Sequence, residues 1–157
     1  MNKRISLDEI APLIREMLES DGSVSFVSSG VSMLPTLRDR KDTVTLVKPP
    51  EKLKKGDVPF YKRDNGGYVL HRVLYVNESN GTYVMRGDNQ WVNEYNIRQD
   101  QIIGVLSEFT RNGKTHRVTD RSYRLYTACL PVVRYSRRFY YWLKSKIYAF
   151  IMQFKKN

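Results

Sequence analysis

From Ser23 to Val118 the chain breaks into short runs of β-branched and aromatic residues separated by turn residues, and this rhythm leaves few folds open. Val24 to Val27, Thr43 to Val47, Val58 to Tyr61, Tyr68 to Val76, Thr82 to Met85, Ile102 to Phe109 and Thr115 to Val118 are the candidate strands. Asn65-Gly66-Gly67, Asn80-Gly81 and Asn112-Gly113 stand between consecutive runs, where a tight hairpin needs residues that accept a positive φ. Short strands joined by tight turns predict a mainly β domain, a β-barrel or coiled antiparallel sheet. Pro59 cannot donate to a ladder, so its strand should be an edge or contain a bulge.

The two ends read differently. Ser6 followed by Glu9 is a capping box, Ile5 with Ile10 a hydrophobic staple, and a helix over about 7–20 follows. Its apolar residues Ile10, Leu13, Ile14, Met17 and Leu18 share one face, which should pack on the domain, and Asp21-Gly22 stops it. A lead-in of this length is too short for a helix-turn-helix domain. After Asp120 the composition shifts: residues 121–157 hold 10 of the 19 aromatic residues. From Val132 onward Phe139, Leu143, Ile147, Phe150, Ile151 and Phe154 line one helical face, with Arg137, Lys144 and Lys155 opposite and Lys146 near the stripe's edge. Pro131 should separate a shorter segment, Arg121 to Leu130, from this helix. The expected organisation is a helix at 1–22, a β domain at 23–119 and a basic, aromatic helical tail at 120–157.

The net charge of +11 belongs mostly to that tail, whose nine basic residues face no acid. The first 120 residues carry 18 basic and 16 acidic side chains, a nearly neutral domain, so nucleic acid is not the expected partner. A basic, aromatic, amphipathic helix suits a membrane surface with anionic lipids, through residues 132–157. The same face could instead pack on the domain or on a second copy. Cys129 is the only cysteine, which excludes an intrachain disulfide and removes any need for an oxidising compartment. The N-terminus lacks the apolar run of a signal peptide, and no stretch approaches the ~18 apolar residues of a spanning helix. The expectation is a cytoplasmic protein, peripheral at the inner face of the membrane if the tail binds there.

Ser29 to Leu37, Ser-Gly-Val-Ser-Met-Leu-Pro-Thr-Leu, is where the sequence suggests chemistry. Gly30 and Pro35 suit a sharp bend around Ser32, a candidate nucleophile. The search for a base is short, since only His71 and His116 exist. His71 lies in an apolar strand, where alternation would place it with Val69 and Val73. His116 sits in a polar hairpin beside Lys114 and Arg117. Nothing in the sequence calls for a metal or a cofactor.

Taken in order, Ser29 to Leu37, Lys55-Gly56-Asp57-Val58, Tyr68 to Val73, Gly87-Asp88-Asn89 and Ile102-Ile103-Gly104-Val105 resemble the serine peptidase superfamily that holds the type I signal peptidases and LexA-type self-cleaving repressors. The likeness covers roughly residues 24–106. It implies a coiled β-barrel of that type and a serine endopeptidase acting on a peptide or leader substrate. His71-Arg72 stands where many members have a lysine base, as in the endoplasmic-reticulum and archaeal branch, so the implied dyad is Ser32 with His71. An imidazole, with a pKa of ~6.5, can accept the serine proton without the desolvation a lysine base needs. The resemblance further implies Asp88 as the residue that orients His71; Glu94 stands near a place where members often have an aspartate, and no role is assigned to it. Gly30, Met33 and Pro35 would border the substrate. The Ser32 N–H would serve the oxyanion; a second donor, a serine hydroxyl in many bacterial members, is missing at Gly30, and one such donor can contribute ~3 kcal/mol. Against a self-processing regulator stand the short lead-in, the histidine at the base position and the lack of an Ala-Gly cleavage site before Ser32. A catalytically silent binding module of the same fold is the remaining alternative.

Overall fold

The computed structural model describes residues 7–154. Ile5 and Ser6, the expected staple and cap, and Lys155 and Lys156 lie outside the described residues. Helix α1 (Leu7–Ser20) is followed by strands β1 (Ser23–Val27), β2 (Thr43–Val47), β3 (Pro59–Lys62), β4 (Tyr68–Leu70), β5 (Arg72–Asn77), β6 (Thr82–Arg86), β7 (Glu94–Ile97), β8 (Ile102–Arg111) and β9 (Lys114–Arg117), and then by helix α2 (Arg121–Phe154). The protein is therefore mainly β, with one helix at each end.

The strands form two antiparallel sheets. One has the order β1-β2-β8-β3-β4, with β9 also paired to β8, and the other is β5-β6-β7. The first sheet coils until the Phe26 ring of β1 lies 5.7 Å from the Phe60 ring of β3. No pairing joins β1 to β4, so the barrel stays open along that seam. Helix α1 fills part of the gap, burying Ala11, Ile14 and Leu18 against Leu46, Phe60, Ile103 and Leu106. Gly104 makes this approach possible, because a Cβ there would meet Leu18 Cδ1 at 3.0 Å. Truncating a side chain in this layer, such as Leu18 to Ala, costs about 2–5 kcal/mol. The helix ends as its composition predicts: the Asp21 N–H donates to the Met17 carbonyl at 2.8 Å and Gly22 turns at φ 75°.

A second core, built on Tyr61, Val73, Met85 and Ile102, joins the two sheets. The run from Tyr68 to Val76, which reads as one strand, is cut at His71: Leu70 pairs with Phe60 in the first sheet and Arg72 pairs with Arg86 in the second. His71 is thus the crossover residue rather than the neighbour of Val69 and Val73 on one strand face. The strand of Pro59 contains a bulge and is not an edge, since β3 is paired on both sides and its register with β8 shifts between Phe60 and Tyr61.

Helix α2 runs unbroken through Pro131, contrary to the expected separation. The proline removes a single backbone donor. Contacts on both sides of it hold the helix: Tyr123 and Leu130 are buried, and the Arg134 guanidinium stacks on Trp91. Among the described residues no helix is long and apolar enough to cross a membrane.

Candidate active site

The loop carrying Ser32, between β1 and β2, is bent by local chemistry and clamped by a buried charge. Gly30 has φ 106°, a conformation open to glycine, and its N–H donates to Asp39 Oδ1 at 2.7 Å. At the loop's far end the Asp42 side chain is fully buried and accepts from Arg38 Nε at 2.8 Å and from Arg111 Nη2 at 2.6 Å. Burial alone would raise the pKa of Asp42, but the hydrogen bonds from Arg111 and Arg38 outweigh it and hold the carboxyl below its usual value. Arg111 Nη2 also donates to the Thr36 carbonyl at 2.8 Å, tying the loop to β8.

Gly87-Asp88-Asn89, after β6, closes on this loop from the other side. The Asn89 N–H donates to the Ser32 carbonyl at 2.8 Å, and Asn89 Nδ2 to the Val31 carbonyl at 3.1 Å. Asp88 accepts from Arg72 Nε at 2.8 Å and Nη2 at 2.7 Å, a bidentate pair, and from the Thr36 hydroxyl. Arg72 reaches Tyr123 Oη at 3.2 Å as well, so the first turn of α2 joins the network. Desolvation works against the Arg72 charge, yet its bonds to Asp88 prevail and push its pKa above the ordinary arginine value.

His71 is fully buried where the sheets cross over. Its Nδ1 lies 2.9 Å from Glu94 Oε1. The other Glu94 oxygen accepts from Tyr61 Oη and from Arg63 Nε, each at 2.8 Å, and Arg63 Nη2 bonds Oε1. A carboxylate so placed accepts a hydrogen bond from Nδ1–H and leaves the Nε2 lone pair free, which is the tautomer a general base requires. Burial pushes the His71 pKa below 6.5, with Glu94 opposing the shift and Arg63 adding to it. For Glu94, burial pushes upward, but bonds from Arg63 and Tyr61 bring the carboxyl below its usual value. The imidazole is therefore neutral at pH 7, beside an ionised carboxylate.

His71 Nε2 is buried without a hydrogen-bond partner. It sits close to the Ser32 main chain, because a Cβ built on Gly87 would lie 3.1 Å from Nε2 and 2.6 Å from the Ser32 carbonyl oxygen. Gly87 is what lets the two come together. The hydrogen bond from the Ser32 hydroxyl to Nε2 is not formed in this conformation.

The structure thus brings Ser32, His71 and Asp88 into one neighbourhood but gives Asp88 a different place from the one expected. Its oxygens are directed to Arg72 and Thr36, and the carboxylate on His71 is that of Glu94. Gly30, Ser32 and Met33 border an apolar groove of about 520 Å³ between α1 and the two free edges β1 and β4. Pro35 lies elsewhere, lining a cavity of about 300 Å³ under α2 with Asp88 and Trp91. Tyr61 and Arg63, which hold Glu94, carry no sequence signal of their own. The strand bearing Glu94 is also absent from the sequence reading, because Asn93-Glu94-Tyr95-Asn96 is polar and Asn96 takes φ 59° inside it. No family model matches the chain, and no curated protein or solved structure matches it either.

Proposed function

We propose that the chain is a serine endopeptidase of the signal-peptidase-like type, in which Ser32 is the nucleophile, His71 the general base and Glu94 the group that orients the imidazole. The surroundings of His71 carry this proposal: one ring nitrogen held by an anchored carboxylate, the other buried, unpartnered and beside the Ser32 main chain. This reading requires the Ser32 hydroxyl to reach Nε2, a contact that this conformation does not make.

In the first step His71 Nε2 takes the Ser32 proton as Oγ attacks the peptide carbonyl carbon, and the carbonyl π pair moves to oxygen. The resulting imidazolium faces the Glu94 carboxylate. It then gives its proton to the departing amine as the C–N bond breaks, which leaves an acyl-enzyme. Water attacks the ester with His71 again taking the proton, and return of that proton to Oγ frees the acid. The Ser32 N–H is the natural first donor to the oxyanion; the Gly30 N–H is already taken by Asp39.

A substrate fits as an extended strand along the open seam, where β1 and β4 leave their edges unpaired beside Ser32. The coiled open sheet accords with the LexA and signal peptidase type of fold. Labelling with a fluorophosphonate tests the activity. Wild type should react, and Ser32→Ala and His71→Ala should not; absence of labelling in all three sinks the enzyme and favours a silent peptide-binding module.

A further inference from the structure

Helix α2 has two sides with different fates. Leu130, Arg134, Arg138 and Tyr141 point toward the domain, where Arg134 and Arg138 stand 5.0 and 5.1 Å from the Trp91 ring centre and Tyr135 meets the same ring edge-on at 5.9 Å. At about 100° per residue, Val132, Phe139, Leu143 and Ile147 fall on the opposite side. All four are exposed, between 42 and 70%. From Arg138 to Tyr148 every residue is exposed, Tyr140, Trp142 and Tyr148 included, so the second half of this roughly 50 Å helix leaves the domain with its apolar stripe uncovered. The side chains of Phe150 and Phe154, which would prolong the stripe, are outside the described ones.

Charge decides what covers it. Over Arg121–Phe154 there are seven lysines and arginines and no acidic residue. A second copy would set this excess against itself, since its own α2 offers no carboxylate in return. A nucleic acid would need the cations on the outward side, where the structure has Val132, Phe139, Leu143 and Ile147. A bilayer containing anionic lipid satisfies both halves: the apolar stripe enters the acyl boundary, the tyrosines and Trp142 sit at headgroup level, and Lys144 and Lys146 reach lipid phosphates from the flanks. The helix is not apolar enough to span, so it lies in the plane of the surface.

We infer that the outward face of α2 docks on an anionic membrane surface while its inward face, through Trp91, holds the loop that carries Asp88. The experiment is flotation of the full chain with phosphatidylcholine vesicles, with and without phosphatidylglycerol. The chain should float with the phosphatidylglycerol vesicles, bind the neutral ones far less and be released by salt. Lys144→Gln with Lys146→Gln should weaken partitioning roughly tenfold or more, from a contribution of about fivefold per surface cation. Phe139→Glu with Leu143→Glu should abolish it, with circular dichroism confirming that the helix persists. The inference is overturned if the chain does not float, if neutral vesicles bind it equally, if neither double variant matters, or if sedimentation velocity shows a dimer that Phe139→Glu with Leu143→Glu dissolves. The readout uses no substrate, so its failure would leave the peptidase proposal standing.

Discussion

Asp88 and Glu94 are both carboxylates locked to an arginine, and they hold different neighbours. Asp88 has both oxygens occupied by the Arg72 fork, with Thr36 sharing one of them, so it ties the Ser32 loop, β5 and α2 together. Glu94 is held by Arg63 and Tyr61 in a way that still leaves an oxygen 2.9 Å from His71. Both arginine pairs are bidentate, so what separates the two carboxylates is the further partner: the Thr36 hydroxyl on Asp88, and His71 Nδ1 with Tyr61 Oη on Glu94. Arg72 follows His71 in the chain and forks onto Asp88, while Arg63 follows β3 and forks onto Glu94 beside its contact with His71 Nδ1.

The sharpest way to break this contrast is Glu94→Gln. It removes the charge that stabilises the imidazolium and the acceptor that fixes the tautomer, so the fluorophosphonate labelling rate should fall about 10²- to 10⁴-fold, with the fold retained. A rate within a few-fold of wild type would return the orienting role to another group.

Asp88→Asn should act on stability first. Arg72 is almost fully buried and would lose its bidentate partner, at a cost of roughly 3 kcal/mol read from the urea midpoint. The protein that remains folded should label faster than Glu94→Gln. If the two variants lose rate equally while Asp88→Asn keeps its stability, the assigned roles are reversed.

Gly87→Ala probes the ground between the two carboxylates. The new methyl would press on the Ser32 carbonyl and on His71 Nε2, and a displacement of about 1 Å there should slow labelling roughly 10²-fold while leaving the Glu94 contact in place.

The smallest effect is on pH. As the proposed base His71 must be neutral, and its pKa lies below 6.5 because burial disfavours the cation. The labelling rate should fall on acidification with a midpoint below pH 6.5. Glu94 opposes the shift, so Glu94→Gln should move the midpoint lower still, whereas Asp88→Asn should move it less. Stability follows the same sign: the unfolded chain takes a proton on this histidine near 6.5 before the folded one does, so folding weakens as pH falls below that value. A midpoint above 6.5 would contradict the buried, neutral imidazole.

Much of this is legible in the chain itself because it is local. Apolar spacing sets α1 at Leu7–Ser20, and glycines 66, 81 and 113 turn at positive φ where the hairpins were expected. The bend before Ser32 follows from Gly30 in the same way. The break at His71 is not local: Tyr68 to Val76 has a strand's composition throughout, and only the pull of two sheets on its halves decides that it divides. Glu94 was obscured for a related reason, since its strand is polar and held by pairing with β6 rather than by its own pattern.

The two helices mark the boundary most clearly. Both are amphipathic in sequence, and periodicity identifies the apolar stripe on each. Periodicity cannot say what meets that stripe. On α1 it meets Gly104 and the sheet and is buried; on α2 the cations contact Trp91 and turn the stripe outward. The sequence by itself determined α1, most of the strands and the glycine turns between them, because backbone preference and side-chain spacing act over a few residues, whereas the split at His71, strand β7 and the continuity of α2 through Pro131 needed contacts from elsewhere. Which carboxylate reaches the histidine, and which apolar face stays bare, depended on groups tens of residues apart, and only the tertiary structure decided them.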